Sequence, residues 1–424
     1  MKLLTSLLLC CSCFILLNCG GSGTTEINTN NTTTYATTSN LGDYATWSLT
    51  GSTLSVNWQV IDGVGSVDHI FDITANCGAP TATGLQSCWF TDVLCTAGTG
   101  SCPSPLPSGS FDIMVVPGVA LYAVDDEQLH VGFARDDTAC TANVSGDYSY
   151  LHLGHGKRDI FGLYRSDNDF LTITHIDYGV TNAVDISPFP NEELTPQRVA
   201  YTTGSPIESL TDGGCTNGLR QRSNGAIDLR LMATTNGLFV LDLPEGEGGI
   251  LAFKAENAAT LADFENKSFG GIDVDGDGAG GTLTSTDFSV DFDQVLLDEI
   301  TFTAQMGGVT QDLTLMPLDG NDGASTPAYP DFTVIANNAS ATVSATTNPL
   351  QSDYNTPNDL PGFFKIDNTS GTGRHIVAAV ILNNKVIAFG SSYKYKTALD
   401  INPSTGLPYD PDYYIVGNWL MFEK

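Results

Sequence analysis

Val119 to Asp136 (VALYAVDDEQLHVGFARD) reads as two aliphatic runs on either side of an acidic turn, the second run ending on Phe133. The same layout returns at Leu238 to Asn257 (LFVLDLPEGEGGILAFKAEN), which ends on Phe253, and at Ile376 to Lys394 (IVAAVILNNKVIAFGSSYK), which ends on Phe389. The turns between the runs are Asp125-Asp126-Glu127, Pro244-Glu245-Gly246-Glu247-Gly248 and Asn383-Asn384. β-rich runs around a short Asn/Asp/Gly turn are the strongest local hairpin signal, because those residues tolerate the backbone that tight hairpins need. A second marker opens a β-like run ahead of each hairpin: Gly42-Asp43-Tyr44, Gly146-Asp147-Tyr148 and Lys267-Ser268-Phe269-Gly270. Together they predict three related β units in tandem.

Composition agrees. Only 15% of residues are charged, while Gly, Thr, Ser, Asn and Asp are abundant, which favours short strands joined by turns. Helical periodicity is nearly absent, and its best candidate, Phe292 to Phe302 (FDQVLLDEITF), reads almost as well as a strand. The fold expected is all-β: three tandem antiparallel β-barrel or β-sandwich units after a signal peptide and a flexible tether. The boundaries read as 1–18 signal, 19–40 tether, 41–139 cysteine-rich first unit, 140–257 second unit and 258–424 third unit. The tail, Tyr413 to Phe422, reads as a last strand closing the third unit. The Gly-x-aromatic opening with a closing hairpin resembles lipocalin-like barrels and the barrels of bacterial surface lipoproteins.

At the amino terminus, Met1-Lys2 is followed by an apolar run from Leu3 to Leu17 and then by Asn18-Cys19-Gly20-Gly21. A basic start, an apolar core and a small-residue cut site describe an export signal, too short to span a bilayer comfortably. Leu16-Leu17-Asn18-Cys19 resembles the lipobox of bacterial lipoproteins, with Asn18 where that family carries Gly, Ala or Ser. The resemblance implies that Cys19 becomes the lipidated first residue, and Gly20 after it implies outer-membrane sorting, on the periplasmic or the surface face. The Gly/Ser/Thr/Asn tract that follows has no apolar cluster to bury and reads as tether, with a reach of about 25 Å.

The chain carries 48 acidic and 17 basic residues, a net charge of −31, and has no Lys or Arg between Cys19 and Ala134. Such a surface repels phosphate backbones and anionic headgroups, which excludes nucleic acid as partner and leaves the lipid as the membrane attachment. Beyond the signal and Cys19, six cysteines remain. An even number in an exported chain argues for disulfides, and the pairing expected is Cys77–Cys88, Cys95–Cys102 and Cys140–Cys215. Their spacings do not match a zinc knuckle.

One local pattern speaks of a ligand. Asp273-Val274-Asp275-Gly276-Asp277-Gly278 places three carboxylates, Asp273, Asp275 and Asp277, on one side of a tight glycine turn, a donor set suited to a hard cation such as Ca²⁺. It resembles the first half of an EF-hand-type loop, with Thr284 at the twelfth position where that family has a bidentate Glu. The competing expectation is a solvated Asp/Gly turn between strands. No nucleophile elbow and no His-Glu-x-x-His motif occurs. The function expected is therefore a non-enzymatic, lipid-anchored binding or surface-interaction module whose ligand is a protein, a glycan or a small apolar molecule. A carbohydrate-active or other hydrolase on a β scaffold is the alternative, since catalytic carboxylates need no local motif.

Overall fold

A computed structural model describes residues 32–424 apart from 63–64, 142–143, 154–158, 168–171, 182–194, 200–206, 210, 224–227, 244–247, 277–282, 297–298, 307–308, 318–332, 336–360, 368–373, 402–405 and 409–411. The signal, Cys19, Asp277 and Gly278 thus lie outside the described residues. Every regular element described is a β-strand apart from three single-turn 3-10 helices. Strands β1 to β8, between Thr33 and Ala134, form a closed barrel.

The first strand corrects the tether boundary. Thr33–Ser39, expected to be flexible, is β1, and it closes the barrel by pairing with β2 (Tyr44–Thr50) and β8 (Leu129–Ala134). The segment has no aliphatic run, yet its small β-branched side chains suit a crowded seam. Thr37 accepts a hydrogen bond from the Trp47 indole at 2.8 Å inside the barrel, and Thr38 on the other face donates to Asp242 at 2.9 Å.

Strands β9 to β18, from Gly146 to Lys254, belong to an eleven-stranded sheet. Its pairings follow the same circuit as the first barrel. β9 (Gly146–Leu153) joins β18 (Gly249–Lys254) on one side and β10 (Asp159–Asp167) on the other, and β10 joins β11 (Thr172–Thr181). β13 (Ile207–Ser209) pairs with β11, and β14 (Thr211–Thr216), one residue further on, pairs with β15 (Leu219–Ser223), from which the ladder returns to β18. β12 (Thr195–Val199) extends β11, and a strand from the third unit, β23 (Thr333–Ile335), adds in parallel to it.

The third unit is a second closed barrel: β19 (Ser268–Gly276), β20 (Leu283–Leu296), β21 (Glu299–Met306), β22 (Val309–Pro317), β24 (Phe363–Asp367), β25 (Arg374–Leu382), β26 (Lys385–Lys396) and β27 (Asp412–Glu423). The carboxy-terminal strand β27 sits between β26 and β19 and completes the ring. In the first barrel that place, between the closing hairpin and the next strand, belongs to the amino-terminal β1. The third barrel is thus a circular permutation of the first. The markers follow suit: Gly42-Asp43-Tyr44 opens β2 and Ser268-Phe269 opens its permuted counterpart β19, whereas Gly146-Asp147-Tyr148 falls in β9, the counterpart of β1. The helical candidate Phe292 to Phe302 is instead the meeting of β20 and β21, paired Phe292 to Phe302 and Val295 to Ile300.

The three quoted hairpins are β7 (Ala120–Val124) with β8, β17 (Leu238–Asp242) with β18, and β25 with β26. They meet in one apolar hub. Ala120, Tyr122, Val124, Leu129, Val131 and Phe133 face it from the first barrel, Leu238, Val240, Leu251 and Phe253 from the second unit, and Ile376, Ala378, Val380, Ile387 and Phe389 from the third. The alternate residues turn away from the hub: Leu121 and Ala123 into the first barrel, Val377, Ala379, Val386 and Ala388 into the third, and Phe239, Leu241, Ile250 and Ala252 into a separate core on the other face of the second unit's sheet. Burial on both faces is the reason these runs are continuously apolar rather than alternating. Phe133 meets Phe389 edge-on at 5.8 Å, and Phe363 lies 5.1 Å from Phe161 and 6.5 Å from Phe253.

Polar contacts rim the hub. Ser285 donates to Asp112 at 2.6 Å, Thr83 to Asp287 at 2.5 Å, and the Leu283 amide to the Asp126 carbonyl at 2.9 Å. Cys77–Cys88 and Cys95–Cys102 brace the first barrel, and Cys140–Cys215 ties the linker after it to β14. Three disulfides mark the protein as extracytoplasmic, where thiols stay oxidised. No helix among the described residues is long and apolar enough to cross a membrane.

Candidate functional site

The barrel interiors differ in what fills them. The first is packed with aromatic rings: Trp47 on Phe111 at 4.8 Å, Trp58 on Phe71 at 5.5 Å, and His130 edge-on to both tryptophans at 5.3 Å. Its buried carboxylate Asp43 is fully occupied. Asp43 accepts from the Ile61 amide at 3.0 Å, the Trp58 indole at 3.0 Å and the Gln128 amide at 2.9 Å. Burial raises its pKa and these donors pull it back.

The third barrel is packed with phenylalanines at one end. Phe264, from the linker ahead of β19, stacks on Phe269 at 5.6 Å and touches Phe292 at 5.1 Å and Phe364 at 5.4 Å, with Phe302 4.8 Å from Phe292. These rings plug the end where β19 begins.

Where β19 finishes, the lining turns polar. Phe269 faces the interior and Ile272 and Val274 face the hub, so the period of two sends Asp273 and Asp275 inward. Across the ladder, Asp275 lies opposite Gly417, Gly417 opposite Ser392, and Ser392 opposite His375, one belt over β19, β27, β26 and β25. His375 Nδ1 and Ser392 Oγ are hydrogen-bonded at 2.8 Å. One step deeper, Asp273 lies opposite Trp419. Two glycines make the room. A Cβ on Gly390 would lie 1.9 Å from Trp419 Cε2, and one on Gly417 would lie 2.8 Å from Asp275 Oδ1.

The electrostatics of this belt are unusual. Asp273 is only 8% exposed, and its Oδ1 has no hydrogen-bond partner among the described residues. Burial, then the charge of Asp275, raises its pKa to about 8. Asp275, at the exposed rim, is raised by partial burial as well. Burial lowers His375 to about 4, which leaves the ring neutral at pH 7. More negative charge stands next door. The Leu283 amide, one residue before Asp275's partner Thr284, binds the carbonyl of Asp126 in the first barrel's acidic turn. That turn is an Asx turn, Asp125 Oδ1 accepting from the amides of Glu127 at 2.8 Å and Gln128 at 2.7 Å.

The sequence pattern thus splits. Asp273 and Asp275 come together, but on a strand rather than in the turn expected, because β19 is paired on both sides through Gly276 and Asp275. Asp273 is buried, not solvated. Among the described residues no three His, Cys, Asp or Glu side chains converge as metal ligands. His375, Ser392 and Trp419 carried no local signature, although the two-residue turn Asn383-Asn384 sets a register in which His375 must oppose Ser392.

No known protein family matches the chain, and no curated protein matches it. Among solved structures it is similar to a protein of unknown function from the DUF3598 family of Nostoc punctiforme, 9% identical over 66% of this chain and 94% of that one, with a TM-score of 0.21. It is also similar to an H. pylori β clamp in complex with 5-chloroisatin, 7% identical over 94% of each chain, with a TM-score of 0.10.

Proposed function

We propose that this protein is an exported, lipid-anchored binding module of the outer envelope that takes its ligand at the polar end of the third barrel. The observation that carries the reading is the asymmetry of that barrel, plugged by phenylalanines at one end and lined at the other by Asp273, Asp275, Ser392 and His375. A polar lining that leaves a buried carboxyl oxygen without a partner costs stability, and a ligand supplying donors offsets that cost. The lipobox-like Leu16-Leu17-Asn18-Cys19 supports the anchor, and the disulfides support export.

Hydrolysis is the second reading, favoured by the same carboxyl pair: alternate residues on a strand stand about 6.5 Å apart, within the range of glycosidase carboxylates. The arrangement argues against it. Glycosidase carboxylates flank the scissile bond from two sides, whereas Asp273 and Asp275 project side by side from one strand. Metabolic labelling with palmitate tests the anchor: label in the membrane fraction of the wild type, and none in a Cys19→Ser variant, is expected. An unlabelled wild-type protein released in soluble form would sink the anchored reading, and hydrolysis of glycan substrates abolished by Asp273→Asn would replace the binding module with an enzyme.

A further inference from the structure

We infer that the polar end of the third barrel recognises an organic cation, an amine or guanidinium group on an aliphatic stem. The inference rests on the reading of that end as the binding site and names its ligand class.

Three features point the same way. The first is sign. Two carboxyl groups face the same space, and the acidic turn of the first barrel, Asp125-Asp126-Glu127, is fastened beside the rim by the Leu283 to Asp126 hydrogen bond. Acidic groups gathered at the rim focus an attractive field for a cation, and a cation seated there favours the charged form of the buried Asp273.

The second is the unmet acceptor. Asp273 Oδ1 is buried without a partner, one step below the exposed Asp275. A donor arriving past Asp275 reaches it next. Ammonium and guanidinium groups carry several N–H donors, enough to serve both carboxyl groups and Ser392 together.

The third is the aromatic pair beside the buried acid. Trp419, opposite Asp273, packs over Gly390 inside the barrel, and Phe288 stands edge-on to it with centroids 6.4 Å apart. Aromatic rings level with and below the buried acid suit a weakly hydrated cation with an apolar stem. They suit Ca²⁺ less well, since that ion collects six to eight oxygens. Among the described residues two carboxyl groups, Asp273 and Asp275, face this space, and the nearby histidine is held by a serine.

Isothermal titration of the full mature chain with 1,5-diaminopentane, its neutral isostere 1,5-pentanediol and CaCl₂ tests this. The diamine is expected to bind, the diol to give no heat, and Asp273→Asn and Asp275→Asn each to weaken the diamine at least tenfold. Asp92→Asn, on exposed β5 (Leu85–Ala97) of the first barrel, is expected to leave binding unchanged. Because Asp275 lies at the exposed rim, Asp275→Asn keeps the test valid should Asp273→Asn perturb folding. Calcium binding without diamine binding would overturn the proposal in favour of an inorganic cation. Diamine binding indifferent to both substitutions would overturn it too, as condensation on an acidic surface. A wild type that binds no diamine yet is acylated at Cys19 would overturn the ligand class and leave the anchored module standing.

Discussion

At the residue scale, buried polar groups divide by whether the fold answers them. Asp43 is met by three donors, which explains why the aspartate of that marker sits where it does. The matching Asp147 does different work, its two carboxylate oxygens accepting from Nε and Nη2 of Arg165 at 2.7 and 2.8 Å. His130 has neither: both ring nitrogens lack a partner among the described residues, and burial lowers its pKa to about 3. Between about pH 6.5 and 3 the unfolded chain therefore binds a proton that the folded one refuses, so stability falls as pH drops through that window. Substituting His130→Leu is expected to flatten this acid slope and move the acid-unfolding midpoint to lower pH, read by tryptophan fluorescence. An unchanged midpoint would show that His130 does not govern acid lability. The acidic pattern Asp273, Asp275 and Asp277 was legible in the sequence, but that a strand buries Asp273 and exposes Asp275 was not. Depth in a barrel depends on strands more than a hundred residues away.

The hairpins are the elements that decide most. Asn383 and Asn384 adopt φ of 51° and 60°, the two positive angles a tight two-residue turn requires, so this turn and its register were readable locally. The all-round apolarity of the hairpins was also visible, though its cause was not, since a run buried against its own barrel looks like one buried against a neighbour. Phe389 touches both Phe133 and the hub, and Phe389→Ala is expected to cost about 3–5 kcal/mol in urea unfolding. Trp89, 56% exposed on β5, should cost no more than about 0.5 kcal/mol when replaced by Ala. Equal effects would mean that the hub contributes little. The ambiguous segment Phe292 to Phe302 shows the limit of pattern: its apolar positions satisfy periods of two and 3.6 alike, and only pairing with neighbours settled it as two strands.

For the whole molecule, each unit shows the hub an apolar face that only the others cover. Residues 32–135 expressed alone would present Tyr122, Val131 and Phe133 to water, a patch of the kind that drives association. We expect the intact mature chain to melt in one calorimetric transition and the isolated first barrel to self-associate. A monomeric fragment melting at the temperature of the full chain would show the barrels to be independent domains.

By itself the sequence determined the β class, the threefold recurrence and the tight turns, because propensity, period and turn chemistry act within a few residues. Tertiary structure alone decided that Thr33–Ser39 is a barrel strand, that β27 closes the third ring in permuted order, and that the hairpins converge. It also drew Asp275 and His375 into one belt. Such outcomes turn on ring closure between distant strands, and no single segment carries the pairing energy that selects them.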